Sequence, residues 1–521
     1  MIITPFEQWQ SWYRDGKYTT LPILYKQPLN IPPDGVAAWT KAWETAFPYA
    51  VILESGKNGG YTYLGLRPAA VIRGKGLEAV LLNSNGEVTG KANGKPLELV
   101  REWMRPFHGP RCSEGPKWIG GCAGFWSYDI IRSIETLPEL AADDLGLPDY
   151  LFIRLNEIWV IDHQDNQLYC IVHQAVIPDT GEQQLKTLYK QAAQHVESMA
   201  ARWREMTSGD EQDEAAALRS QRKDMLKGEG LQIDVEALEG IRSPFPKDRF
   251  QSAVRRIQDY IAQGDAFQVN LSLRQSRSVS VPPEELYEWL RLFNPSPYMG
   301  FLRCPDFQLV SASPELLVES RNRHLATRPI AGTRRRGKTE EEDRRMADEL
   351  LTNEKERAEH IMLVDLERND LGRISEYGSV QVKELMVIEW YSHVMHLVSQ
   401  VEGRLTAGKD AYDIIAATFP GGTITGAPKI RTMEIIEELE PTRRGPYTGS
   451  MGWIDYNGDM EFNIIIRTMT VKDEQVHIQA GAGIVIDSDP EREYYESLNK
   501  AKALWKAVQT SERFRAEERA L

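Results

Sequence analysis

Two pairs of glutamates stand out for the chemistry that their type and spacing permit. Glu356 and Glu359 lie in NEKERAEHIMLVDLERNDLGR, Asn353 to Arg373, and Glu493 and Glu496 lie in DPEREYYESLNKAKALW near the C-terminus. Each pair is spaced i, i+3, so on a helix both carboxylates share one face, at a cost of about 0.2–0.5 kcal/mol for like charges. On a solvated surface Lys355 and Arg357, or Lys500 four residues beyond Glu496, would offset that cost. The other reading is two acidic helix faces meeting around a hard dication, which takes oxygen ligands. Mg²⁺ keeps several waters and one or two carboxylates, leaving room for an anionic substrate.

The elements that must carry these pairs announce themselves. Asn353 can cap the first helix, with Glu356 three residues later as a capping box requires. Ala358, Ile361, Met362 and Leu366 predict its apolar stripe. Asp489 caps the second helix, Pro490 suits its first position, and Leu498, Ala501, Leu504 and Trp505 form its stripe.

Other residues add chemistry. FPGGTITGAPKIR, from Phe419, sets glycines and threonines before a helix, and the N–H groups of such a turn suit an anion. A tight turn and nothing more is the alternative; it is not a phosphate loop, because the GxxxxGK[ST] spacing is missing. Gly481 and Gly483 share one strand face, where side chains would obstruct a ligand, unless they mark a bulge or a barrel corner. Arg467, in NIIIRTM, is a cation amid an apolar strand and needs an anion, from the protein or from a substrate. Glu315 follows Pro314 beside an apolar run, where a carboxyl can be held protonated as a general acid. His393 and His396 fall on opposite faces of a strand and make a poor metal pair, and Arg334–Arg336 reads as a solvated turn. GxSxG, HExxH and a post-strand GxGxxG are absent.

The 521 residues are 41% hydrophobic, ample for a core, and no apolar run approaches the length of a membrane span. The first residues, MIITPFEQWQSWYRDGKY, are polar and partly acidic, unlike a signal or transit peptide. Cys112, Cys122, Cys170 and Cys304 are scattered without a CxxC, which argues for a reducing cytoplasm and against zinc or disulfides. A net charge of −14 disfavours nucleic acid and anionic membrane as partners. The residues alone point to a cytoplasmic enzyme for a small polyanion, using Mg²⁺.

Four regions follow from texture: a β-rich portion (1–206), a polar linker or insertion (207–243), a catalytic portion (244–510) and a tail (511–521). The first holds strand-like runs such as YAVILES (49–55) and YLFIRLNEIWVIDH (150–163). In the third, helices are expected over 247–263, 283–293, 412–418 and 429–438, strands at 267–279, 380–390, 392–403, 460–471 and 475–487, and a turn at PIAGTRRRG (329–337). Without regular βαβ alternation this is α+β, built on a large, mostly antiparallel sheet core.

PIAGTRRRG, NEKERAEHIMLVDLERNDLGR, FPGGTITGAPK, RRGPYTGSMGW, IIIRTM and AGAGIVIDS with EYYESLNKAK resemble the chorismate-binding enzymes, from about Pro246 to Ala507. ILESG (52–56) and GLRP (65–68) resemble the companion N-terminal region of the aminodeoxychorismate and anthranilate synthase components I. The resemblance implies one large intertwined antiparallel β-sandwich with surrounding helices, in which the two portions interleave. It implies that Glu359 and Glu496 bind Mg²⁺, supported by Glu356 and Glu493, and that Glu315 protonates the departing 4-hydroxyl of chorismate. Gly481, Gly483 and Lys500 would hold one carboxylate, Tyr447 and Arg467 the enolpyruvyl carboxylate, and Thr333, His396 and Thr423 would line the ring. Glu54 and Ser55, with Pro297 and Tyr298, resemble the segments of a tryptophan pocket.

Isochorismate and salicylate synthases carry a lysine base at the position of Gln268. Glutamine cannot activate water, so the resemblance implies ammonia, supplied by a separate glutamine amidotransferase subunit. FQVNLS, with Asn270, and GTITGAPK resemble the aminodeoxychorismate branch. Ala331, where many of that branch carry a lysine nucleophile, resembles the anthranilate synthases. The expectation is aminodeoxychorismate synthase component I, with anthranilate synthase component I as the alternative. An idle chorismate- or tryptophan-sensing module is a third reading, which the retained Glu315, Glu359 and Glu496 oppose.

Overall fold

Strand Ala50–Glu54 shows how the layers arise. Alternate side chains leave a strand on opposite faces, and here both faces are buried: Val51 meets a second sheet, while Ala50 and Ile52 meet a layer of helices. The computed structural model describes residues 1–29, 38–56, 60–207, 210–228, 233–337, 339–390 and 394–520, so His393 lies outside the described residues.

Two large sheets, each open, pack face to face. The first runs Thr20–Pro28, Gln167–Ala175, Glu157–Asp162, Tyr61–Gly65 and Ala50–Glu54, then Tyr298–Arg303, Gln308–Ser313, Thr468–Lys472, Gln475–Ile484, Gln268–Ser278 and Gly426–Ala427. The second runs Ile330–Arg335, Val394–Arg404, His324–Thr327, Leu316–Arg321, Met460–Asn463 and Ser450–Asp455, then Gly121–Trp126, Tyr150–Leu155, Ala70–Lys75, Glu78–Asn83 and Val88–Asn93. Strand Gln381–Trp390 adds to Val394–Arg404. Every paired strand among these is antiparallel, and both sheets join N-terminal to C-terminal strands without a break, at Val51↔Leu302 and at Trp453↔Ala123. The two halves of the chain therefore share each sheet. Helices Glu182–Thr207, Lys247–Ala262, Pro283–Phe293 and Pro490–Ala520 cover the outer face of the first sheet, and Pro96–Met104, Ala411–Thr418 and part of Glu354–Gly372 cover the second.

Several expectations need correction. YLFIRLNEIWVIDH is two strands, Tyr150–Leu155 and Glu157–Asp162, which belong to different sheets. PIAGTRRRG is not a turn: Ile330–Arg335 is an edge strand, and Gly332 takes φ 66° where the register shifts. The 207–243 stretch, read as a linker with room for some helix, does hold one, Asp210–Gly228, pinned where Arg222 pairs with Glu285 at 2.6 Å and lies over Trp289. The C-terminal helix continues through the tail, with Phe514 against Trp289.

Candidate active site

Helix Glu354–Gly372 starts where expected, with the Asn353 side chain accepting from the Glu356 N–H at 3.0 Å. The reciprocal half of a capping box is absent, because the Glu356 carboxylate turns to Arg334 at 3.0 Å. Its buried stripe is also not the expected one. Ala358 and Ile361 are exposed, whereas His360, Leu363, Val364, Glu367, Asp370 and Leu371 face inward. The polar members of that stripe have found partners: His360 pairs with Ser399 at 2.6 Å, Thr327 donates to Glu367 at 3.0 Å, and Lys429 binds Asp370 at 2.5 Å. Hydropathy periodicity misses a face whose buried groups are satisfied by hydrogen bonds. The second helix follows its signals, with Asp489 capping Arg492 and Leu498, Ala501, Leu504 and Trp505 all buried.

These helices meet over a cavity of ≈ 700 Å³, within the about 300–1,000 Å³ usual for small-molecule sites. Glu356 and Glu359 line it from one helix, and Glu493, Glu496 and Lys500 line it from the other. Gln268 and the Gly481–Gly483 segment come from two paired strands of the first sheet. Thr333 and His396 stand opposite each other on paired strands of the second. Glu315, Thr423, Tyr447 and Arg467 complete the wall. Every catalytic, substrate and metal residue expected from the sequence thus lines one cavity.

Burial decides the electrostatics. Glu315 is buried, and lost hydration pushes its carboxyl up to about 7, against the opposing pull of the Thr423 hydroxyl and the Lys500 charge. His396 is pushed down to about 4 by burial and by Arg467, so its ring is neutral at pH 7; its Nδ1 shares a hydrogen bond with the Thr333 hydroxyl at 2.9 Å. Arg467 sits at φ 51°, a backbone conformation that strains a non-glycine residue. Burial lowers its pKa, Tyr447 alone raises it, and it has no protein carboxylate partner among the described residues.

The donor set suits Mg²⁺ in one form only. No group of three or more acidic, histidine or cysteine side chains among the described residues is close enough to hold a metal by itself. Glu356 is paired with Arg334, Glu496 is paired with Lys500 at 2.9 Å, and Glu359 accepts from Gln268 at 3.1 Å. Carboxylates on two sides of an open cavity fit a cation that takes its remaining ligands from water and substrate.

Gly481 is required by the backbone beside it, whereas Gly483 faces the end of the Gln268 side chain. A Cβ at Gly481 would stand 2.5 Å from the Leu271 carbonyl, and one at Gly483 would stand 2.2 Å from Gln268 Nε2. The space they leave is thus claimed by the neighbouring strand, while Lys500 Nζ donates to the Gly481 carbonyl at 3.0 Å. The FPGGTITGAPK loop reaches the cavity through Thr423 and Ile424, and its Ile424 and Thr425 N–H groups donate to the Gly421 and Gly422 carbonyls.

Glu54, Ser55, Pro297 and Tyr298 do meet, around a second cavity. It holds only ≈ 30 Å³, about one water's share of the liquid. Tyr61, Tyr63 and Trp453 fill its walls, and Glu54 is taken up by Tyr287 at 2.6 Å and Arg291 at 3.0 Å. As it stands this cavity does not admit an indole.

Sequence reasoning missed two contributors. Arg334, read as part of a solvated turn, lines the main cavity and pairs with Glu356, while Arg335 and Arg336 pair with Glu342 and Asp343. Asn270 also lines it; its place two residues from Gln268 on one strand was the available signal.

A fold of two interleaved sheets around this cavity has a family. The model for the chorismate binding enzymes matches residues 49–506, and the chain belongs to that family. It is 48% identical over 467 residues to aminodeoxychorismate synthase component 1 of Bacillus subtilis, covering 89% of this chain and 92% of that one. It is 44% identical over 481 residues to anthranilate synthase component 1 of Thermus thermophilus, covering 92% and 96%. Among solved structures it resembles anthranilate synthase component I of Streptococcus pneumoniae, with a TM-score of 0.69, 35% identity and coverage of 86% and 92%. The menaquinone-specific isochorismate synthase of Escherichia coli shares the fold, with a TM-score of 0.63 at 16% identity, covering 97% and 99%.

Proposed function

We propose that the chain is the aminating component of an aminodeoxychorismate synthase. It would convert chorismate and ammonia into 4-amino-4-deoxychorismate and water, in the cytoplasm, toward para-aminobenzoate and folate. The observation that carries the ammonia reading is Gln268, buried on the cavity wall and bonded to Glu359, where a lysine base would be needed to activate water. The 48% identity to the Bacillus subtilis component favours this branch. Ammonia would come from a separate glutamine amidotransferase subunit. Anthranilate formation is the second reading, because Ala331 offers the cavity no nucleophile.

Arg467 and Tyr447 hold one substrate carboxylate, and Lys500 lies where a second can bind. Glu359 and Glu496, with Glu356 and Glu493 beside them, would hold Mg²⁺, which neutralises the ring carboxylate and favours loss of the 4-hydroxyl. Glu315, protonated near neutrality, gives its proton to that hydroxyl, which departs as water. The neutral His396, held by Thr333, borders the ring without adding charge.

Chorismate, Mg²⁺ and ammonium with the purified chain test the branch. A product that keeps its enolpyruvyl group, and becomes 4-aminobenzoate only after a lyase is added, is expected. Stoichiometric pyruvate with fluorescent 2-aminobenzoate, without a lyase, would hand the case to anthranilate synthase.

Gln268→Lys tests the nucleophile. The new ammonium would lie beside Glu359, so the expected yield of isochorismate by chromatography is small but measurable, and zero for the wild type. Isochorismate from the wild type in ammonia-free buffer would place the chain in another branch.

A further inference from the structure

We infer that Asn270 joins Gln268 in seating the ammonia nucleophile, through a pair of amide oxygens that accept its N–H groups. This rests on the reading of the chain as an ammonia-using enzyme. Residues two apart on a strand share a face, and both side chains line the main cavity. The direction of each amide is set by its own donor. Gln268 Nε2 donates to Glu359 Oε1 at 3.1 Å, and Asn270 Nδ2 donates to the Thr423 carbonyl at 3.3 Å. A carboxylate and a carbonyl only accept, so neither amide can turn over without setting oxygen against oxygen.

Gln268 Oε1 and Asn270 Oδ1 are consequently aimed away from these partners. Both are buried and have no hydrogen-bond partner among the described residues. Buried acceptors left unmet are costly, and two on one strand face call for a small ligand rich in donors. The adjoining strand is shaped for them: a Cβ at Gly481 would stand 2.9 Å from Asn270 Oδ1, and one at Gly483 would meet the Gln268 amide. Two positions without side chains thus make room for two carboxamides.

Ammonia matches this acceptor pair. It has three N–H donors and one lone pair, so giving two hydrogens to the amides leaves the lone pair uncommitted. An amide oxygen is too weak a base to deprotonate water, so water in the same place gains no nucleophilicity, whereas ammonia needs no such help.

The test is steady-state kinetics of the full chain with ammonium chloride, Mg²⁺ and chorismate, varying each substrate in turn at fixed pH. Asn270→Ala is expected to raise the KM for ammonia about tenfold, the scale of one hydrogen bond, and to change the KM for chorismate less than about twofold. Asn270→Ser, whose hydroxyl can still accept, should fall between. It also decides the matter if the alanine variant does not fold. Unchanged ammonia KM in a folded variant overturns the seat, as does an equal rise in both KM values, which would mark Asn270 as a prop for Thr423. A wild type that forms no amine at any ammonium concentration fails earlier, and fails the functional reading itself.

Discussion

Glu359→Gln and Glu496→Gln are each expected to abolish turnover while the protein stays folded. Both carboxylates line the cavity from different helices, where neither supports the core: Glu496 is half-exposed and, among the described residues, pairs along its own helix with Lys500. Glutamine has nearly the same shape but a neutral oxygen, which a hard cation holds weakly. A Lewis acid that neutralises charge in the transition state supplies several kcal/mol, so the loss should reach about 10³-fold or more. Calorimetric titration with Mg²⁺ gives a readout apart from activity: the wild type should bind, and each variant should bind at least about tenfold more weakly. EDTA should reproduce the loss and Mg²⁺ restore it. Full activity after exhaustive chelation would sink the assignment.

Glu315→Gln should lower turnover by about 10²–10⁴-fold, the usual contribution of a general acid, with much less effect on chorismate affinity. The pH dependence follows from burial. An acid must be protonated to donate, and the Glu315 carboxyl is raised to about 7. Turnover of the wild type should therefore hold below that value and fall as pH rises through it. The glutamine variant should lack that limb, having no proton to lose there. A folded variant with near-normal turnover but weakened chorismate binding would reduce Glu315 to a positioning group.

Much of the site was legible because it is written in local terms. Caps at Asn353 and Asp489 mark where two helices begin, and i, i+3 spacing places two carboxylates on one face of each. Period two does the same for Gln268 and Asn270 on their strand. What failed was inference about which face turns inward. His360, Glu367 and Asp370 lie inside because Ser399, Thr327 and Lys429, distant in sequence, satisfy them there, while Ile361 is left outside.

By itself the sequence determined the two glutamate-bearing helices and several others, many of the strands, the glutamate spacing and the family motifs, all of which depend on neighbours a few residues away. Only the tertiary structure decided how the halves combine. The step at Asn156, which sends Tyr150–Leu155 and Glu157–Asp162 into different sheets, has no hydropathic signature, since both strands are buried at every position but Arg154. Likewise the sequence offered Gly481 and Gly483 as openings for a ligand. Packing adds that both glycines line the cavity while the Leu271 carbonyl and the Gln268 amide stand where their side chains would be. The fate of Arg467 was decided in the same way: a lone cation looks alike in any apolar strand, and only the arrangement of the folded chain shows that no protein carboxylate reaches it among the described residues. Contacts between segments hundreds of residues apart depend on where both ends arrive, and that information is absent from either segment alone.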